Sequence, residues 1–227
     1  MCFQLLNSSI TKKQVVAVTG LALVLFIIIH LVDNLFIYGG PQVFNGYAQK
    51  IHSLGPLLWL MRVGLLTVFV MHVCVTYFLV MENIKARGPK RYQVDDPPLS
   101  WSQRLMPYSG AYLFFYVIWH LLDFTLIDQH GPRGFINGHG YGIYGVVVNA
   151  FADPLHGLLY IIAMCFLGLH LAHGVESFIQ TLGFDHARWA KGLKSFSRNF
   201  ALAMVVGFSS VPIYIYFIVT GRSYVGF

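Results

Sequence analysis

The sequence predicts an all-α membrane protein, a single domain over residues 1–227 that crosses the bilayer five times. Three observations carry this. The 227 residues are 56% hydrophobic and only 11% charged, whereas a soluble domain of this size carries about 25% charged residues. Five apolar runs, at 15–38, 56–81, 108–127, 154–182 and 200–220, reach the ~20 helical residues that a bilayer requires. Polar connections at 39–55, 82–107, 128–153 and 183–199, marked by Gly, Pro and Asn, separate them.

The first run follows Lys12 and Lys13 as the apolar part of a signal peptide would. It is too long for a cleaved signal and lacks a small-residue cleavage site, so it reads as a retained first span. The fifth contains Pro212, which removes an intrahelical hydrogen bond and is expected to kink it. Orientation follows from the basic residues. Lys12, Lys13, Lys85, Arg87, Lys90, Arg91, Arg104, Arg188, Lys191, Lys194 and Arg198 fall on the side of the N-terminus; Lys50, Arg62, Arg133 and Arg222 fall on the other. This bias puts the N-terminus in the cytoplasm. The net charge of +6 thus belongs to topology and does not point to nucleic acid. Cys2, Cys74 and Cys165 form no disulfide framework.

The first four spans form a repeat. Thr19-Gly20 precedes His30-Leu31 and Asp33, as Ser109-Gly110 precedes His120-Leu121 and Asp123; the Gly-to-His separation is 10 in both. Pro56-Leu57 precedes His72 as Pro154-Leu155 precedes His170, with a separation of 16 in both. Spans one and two therefore match three and four. Both pairs start from the same side, which makes them parallel repeats about an axis along the membrane normal.

His30, His72, His120 and His170 each lie inside a different span. A histidine in hydrocarbon is costly unless it pairs or binds something. Depth pairs them. His30 and His120 lie past the middle of outgoing spans, in the outer half; His72 and His170 lie past the middle of incoming spans, in the inner half. Two sandwiched metal centres in a helix bundle indicate haem, here two haems with bis-histidine ligation. No Cys-x-x-Cys-His occurs, so the haems would be non-covalent. Filled axial positions suit electron transfer rather than oxygen chemistry.

His173, three residues after His170, is expected to support the inner haem without ligating it. Gly20 and Gly110 are candidates for a close porphyrin approach to the helix backbone. Ser102, Arg104, Lys13 and Arg188 have the depth to meet inner propionates. His52, His130, His139, His156 and His186 fall in or near connections. Of these, His52 and His156, with the acids Asp33 and Asp123 one turn beyond His30 and His120, are the candidate quinone contacts.

These residues carry a resemblance. The segments 26–36 (FIIIHLVDNLF), 68–77 (VFVMHVCVTY), 117–123 (VIWHLLD) and 169–183 (LHLAHGVESFIQTLG), with the connection 99–104 (LSWSQR) and Gly39-Gly40 before Phe44-Asn45, resemble the single-chain, di-haem cytochrome b subunit of succinate:quinone oxidoreductases. The resemblance implies five helices, two haems b on His30, His72, His120 and His170, and a quinone, with menaquinone preferred. It also implies a flavoprotein and an iron–sulfur subunit as partners on the cytoplasmic face, in a bacterial cell membrane. The chain would anchor that pair and relay electrons between it and membrane quinone. Succinate or fumarate chemistry would lie in the partners. Some members carry an acidic quinone residue in the first outer connection, but 39–55 holds no Asp or Glu. Two alternatives stay open. A di-haem quinol-oxidising chain such as that of respiratory nitrate reductase places its ligands on two helices, unlike the four here. A haem-free transporter with a histidine proton relay would show paired acids at mid-bilayer.

Overall fold

The computed structural model describes residues 8–87, 101–128, 131–184 and 188–221. Lys90, Arg91, Arg222, Cys2, His130 and His186 lie outside these, as do the side chains of Arg87 and Ser102. Seven α-helices are described: α1 (Ser9–Leu35), α2 (Gly40–His52), α3 (Pro56–Arg87), α4 (Trp101–His120), α5 (Gly142–Ala152), α6 (Pro154–Thr181) and α7 (Ala190–Tyr214). Five helical stretches are long and apolar enough to cross a membrane. The protein is an all-α polytopic membrane protein, and its five spans are those the sequence predicts. α1 begins at one end of the bundle, the near end; the opposite end is the far end.

The bundle is assembled from two helix pairs, α1 with α3 and α4 with α6. Contact between α1 and α6 joins the pairs, and α7 lies along α6 and α1. Gly168 makes the last contact possible, since a Cβ there would come 2.4 Å from Val205 Cγ2; small residues let helix backbones approach closely in membranes. At mid-bundle Leu31, Leu171, Val175, Ala201 and Met204 form a buried cluster. Outward-facing Val18, Leu25, Ile29, Leu60, Val63 and Leu202 present an apolar surface to lipid. Cys74 and Cys165 are free and on that surface.

The connections depart from the expected polar breaks. Residues 39–55 are mostly α2, and its Lys50 and His52 lie in the last turn, where cations complement the helix dipole. Gly40, at φ 80°, makes the corner between α1 and α2, a conformation that L side chains resist. The connection 128–153 contains a two-strand hairpin, Phe135–Ile136 with His139–Gly140, turned by Asn137 and Gly138 at φ 50° and 81°, the Asn-Gly pair that tight hairpin turns prefer. It then forms α5, too short to span, which packs into the far end with Tyr144, Val147, Val148 and Phe151 buried against Ile37, Val211 and Ile215. Asn45 of α2 clasps α5, donating to the Tyr141 carbonyl at 2.8 Å and accepting from the Tyr144 N–H at 3.1 Å. Asp153 caps α6 by accepting from the Leu155 N–H at 3.0 Å, with Pro154 in the first turn.

α7 starts ten residues before the fifth apolar run. Lys191, Lys194 and Arg198 extend the helix beyond the hydrocarbon, since Lys and Arg are good helix formers. Pro212 lies inside α7, and the helix passes into a wider π-type coil over Ile215–Thr220. A second π-type turn, Leu121–Thr125, follows α4 directly after His120.

The packing of α5 against the Pro132–Gly134 turn has a testable consequence. A Cβ on Gly145 would lie 2.3 Å from the Gly134 carbonyl oxygen. Backbone cannot move aside as a side chain can. The ~1 kcal/mol that alanine gains over glycine inside a helix is therefore outweighed by an overpacking cost of about 1–3 kcal/mol. Gly145→Ala is expected to lower the thermal unfolding midpoint of the detergent-purified protein.

Candidate paired-histidine centres

The four span histidines fall into two centres at different depths. Among the described residues no group of three His, Cys, Asp or Glu side chains converges as around a structural metal ion. The histidines approach in twos, as axial ligation of a flat cofactor requires.

The centre toward the near end holds His72 of α3 and His170 of α6, which lie within electrostatic reach of each other. Thr19 on α1 donates its hydroxyl proton to the Val15 carbonyl at 2.7 Å, and the same oxygen lies 3.0 Å from His72 Nδ1. Ser109 on α4 donates to the Met106 carbonyl at 3.0 Å and lies 3.3 Å from His170 Nδ1. Both hydroxyls are buried. Each has one proton, already given to the helix, so toward the imidazole it acts as acceptor and Nδ1 is the donor. The neutral ring then carries its lone pair on Nε2. That is how a metal-binding histidine is oriented: one nitrogen fixed by a partner, the other left for the metal.

Glycines complete the arrangement. A Cβ on Gly20 would stand 3.3 Å from His72 Cε1, and one on Gly110 would stand 3.4 Å from His170 Cε1. The glycines therefore seat the imidazoles. The sequence alone suggested a porphyrin face for them, and the structure shows each against a ring. His173, one turn beyond His170, lies within electrostatic reach of His170 and Glu176.

The centre toward the far end holds His30 of α1 and His120 of α4, with ring centroids 5.8 Å apart and ring planes at 82°. Phe26 stacks on His30 at 5.3 Å, and Tyr116 stacks on His120 at 5.8 Å. Both aromatics stand four residues before the histidine they cover, which places them on one helix face. Phe208, Phe124 and Tyr160 close the surroundings. His120 Nδ1 is buried, with no hydrogen-bond partner among the described residues.

The acids next to this centre have different fates. Asp123 is buried. The Tyr160 hydroxyl donates to its Oδ2 at 2.8 Å, His156 Nε2 lies 3.1 Å from the same oxygen, and Arg133 Nη1 lies 3.6 Å from Oδ1. The His156 contact lacks the alignment of a hydrogen bond. Asp33, in contrast, is half-buried and accepts from the hydroxyl of Tyr47 on α2, whose ring packs at a tilt against Phe36. His52 lies exposed at the end of α2.

The remaining candidates sit at the near end. Lys13 and Arg104 are exposed, and the Arg188 guanidinium lies over the Trp189 ring at 5.9 Å. Lys12, with its charge at the same level, pairs with Glu82 of α3. Sequence reasoning did not single out Phe26, Tyr116, Tyr47, Tyr160 or Arg133. The first two had a signal, since their four-residue lead on His30 and His120 continues the repeat.

The features fit haem ligation: at the near end, rings oriented with Nε2 free and seated by glycine, and at the far end a buried pair walled by aromatics. Residues 81–213 match the family described as succinate dehydrogenase/fumarate reductase transmembrane subunit. That stretch includes α4, α5 and α6 with His120, His156 and His170. No protein of curated function and no solved structure matches the chain. With more than half of its length matched, and with five membrane-spanning helices, the protein belongs to the transmembrane subunits of succinate dehydrogenase and fumarate reductase.

Proposed function

We propose that this chain is the di-haem, single-chain type of that membrane anchor, with its N-terminus in the cytoplasm of a bacterial cell. His72 and His170 would hold a b haem at the near end, and His30 and His120 a second one at the far end. Haems bound there would supply one-electron relay between an iron–sulfur subunit and membrane quinone. The observation that carries the reading is the duplicated contact of glycine and hydroxyl with imidazole, Thr19-Gly20 on His72 and Ser109-Gly110 on His170. An unrelated buried histidine needs a hydrogen-bond partner, but it has no need of the same one twice on opposite helix pairs.

The chain's own residues divide the remaining work. Lys191, Lys194 and Arg198, exposed or part-exposed at the near end, complement an acidic face on the iron–sulfur and flavoprotein partners. Succinate or fumarate is handled by those partners. Quinone, with menaquinone preferred, meets the far end. There Asp33 and Tyr47 form the accessible acid–hydroxyl pair that can hold or release a proton at a quinone oxygen. This pair stands in the connection that holds no acid of its own, with the carboxylate supplied by α1.

The test is a reduced-minus-oxidised spectrum of the purified complex. Succinate is expected to reduce b-type absorbance, and a menaquinone analogue is expected to reoxidise it. A colourless complex, or one whose colour ignores succinate, contradicts the proposal. A second expectation concerns the hydroxyls. Losing the partner of a metal-bound imidazole typically costs about 10–100-fold in metal affinity. Thr19→Val keeps the side-chain shape and removes the acceptor, so haem extraction from the near-end centre should become easier by roughly that factor, measured against a haem-scavenging apoprotein.

A further inference from the structure

Asp123 and Asp33 occupy matching places after His120 and His30, yet only Asp123 is built into a closed network. Three features bear on what that network does. The buried Nδ1 of His120 has no hydrogen-bond partner among the described residues, so packing sets the plane of the ring. Tyr160, 5% exposed, is one of the packing groups, with its ring 6.1 Å from His120 and 5.3 Å from Tyr116. The Tyr160 hydroxyl is in turn tied to Asp123 at 2.8 Å. Asp123 lies one turn beyond His120, in the π-type turn that ends α4. α4 and α6 are thus joined twice around the same imidazole, once by ring contact and once by carboxylate.

The network continues outward. Arg133 reaches Asp123 from the short Pro132–Gly134 turn, and Asn149 of α5 holds that turn by donating to the Arg133 carbonyl at 2.8 Å. His156, stacked on Tyr160 at 5.0 Å and edge-on to Trp119 at 5.0 Å, closes the other side. The first helix pair lacks this arrangement, since Asp33 bonds to Tyr47 of α2.

We propose that Asp123 and Tyr160 are positioning residues for His120. They fix the plane of the far-end axial imidazole and tie it to the cap formed by Arg133 and α5. Asp123 is then not a quinone contact. The inference rests on the reading of His120 as a haem ligand, and the experiment keeps the two apart. Ligand-plane angle governs the low-spin ferric signal of a bis-imidazole haem, so electron paramagnetic resonance of the oxidised complex is the readout.

Wild type is expected to show two low-spin signals. Tyr160→Phe keeps the ring and removes the hydroxyl; it should move one signal and leave the other in place, with two haems still bound. Asp123→Asn should move the same signal and raise the potential of that haem alone, because a buried negative charge that favours the ferric state is removed. Asp123→Glu should restore the signal in part. If Tyr160→Phe keeps two haems and neither signal moves, or if both move alike, the inference is overturned and Asp123 only braces the fold. If Asp123→Asn fails to assemble, Tyr160→Phe decides alone. A wild-type complex without two low-spin haems would overturn the underlying reading, and the inference with it.

Discussion

His72→Ala is expected to leave the purified complex with one haem in place of two, and His170→Ala is expected to do the same. Removing a partner of a ligand costs about 10–100-fold in affinity, and removing the ligand itself costs more. The vacated site offers no substitute, because among the described residues no third His, Cys, Asp or Glu joins the pair. Thr19 or Ser109 would keep its bond to its own helix and lose only the imidazole donor, at a further cost of about 1 kcal/mol. Succinate:quinone reduction should fall by at least the ~100-fold at the top of that range. Haem content per chain, from the pyridine haemochrome, checks the first effect, and a quinone reductase assay checks the second. His173→Ala should retain both haems, since the hydroxyl and glycine contacts converge on His170. Retention of two haems in His170→Ala and loss of one in His173→Ala would reverse the assignment.

Gly110→Leu and Gly20→Leu should empty the same centre without touching a ligand. The first added carbon stands 3.4 Å and 3.3 Å from the imidazole Cε1 atoms of His170 and His72. Alanine can be absorbed by a shift of a few tenths of an ångström. A leucine's further carbons must enter the volume the ring holds, pushing Nδ1 off its hydroxyl. Overpacking costs about 1–3 kcal/mol, and every 1.4 kcal/mol is about tenfold in affinity. The leucine variants should therefore lose near-end haem by roughly one to two orders of magnitude, with the far-end haem retained. Gly110→Ala should bind nearly as wild type. Haem titration of the apoprotein measures both. Equal behaviour of alanine and leucine would mean that these glycines serve helix packing alone.

The spans were legible because nothing but a membrane explains five apolar runs of that length, and the structure has a helix on each. What lay between them was less so. α2 carries no long apolar run and reads as a polar break, but Val43, Phe44, Tyr47 and Ile51 follow one face of a helix that lies at the end of the bundle. α5 is apolar but for Asn149 and too short to span, so its role as a plug depends on tertiary neighbours. The start of α7 was hidden by its charges, because a hydropathy reading stops where hydrocarbon stops, whereas the hydrogen-bonded helix does not.

At the site, spacing alone matched Thr19 with Ser109 and His30 with His120. It left Asp33 and Asp123 equivalent. Their difference is made by Tyr47 and Tyr160, which stand 14 and 37 residues away and meet them only after folding. Depth is the property that singles out Ser102, Arg104, Lys13 and Arg188 in the sequence. Any basic residue at a membrane face has that property, so depth does not distinguish a propionate partner from a topology signal.

The most direct test of the central claim counts and identifies the ligands. Near-infrared magnetic circular dichroism of the oxidised complex, with haem quantified per chain, is expected to give two haems, both with the charge-transfer band of bis-imidazole ligation, and one after His120→Ala. Fewer than two haems in wild type, or a band belonging to a methionine, thiolate or open axial position, would contradict the account.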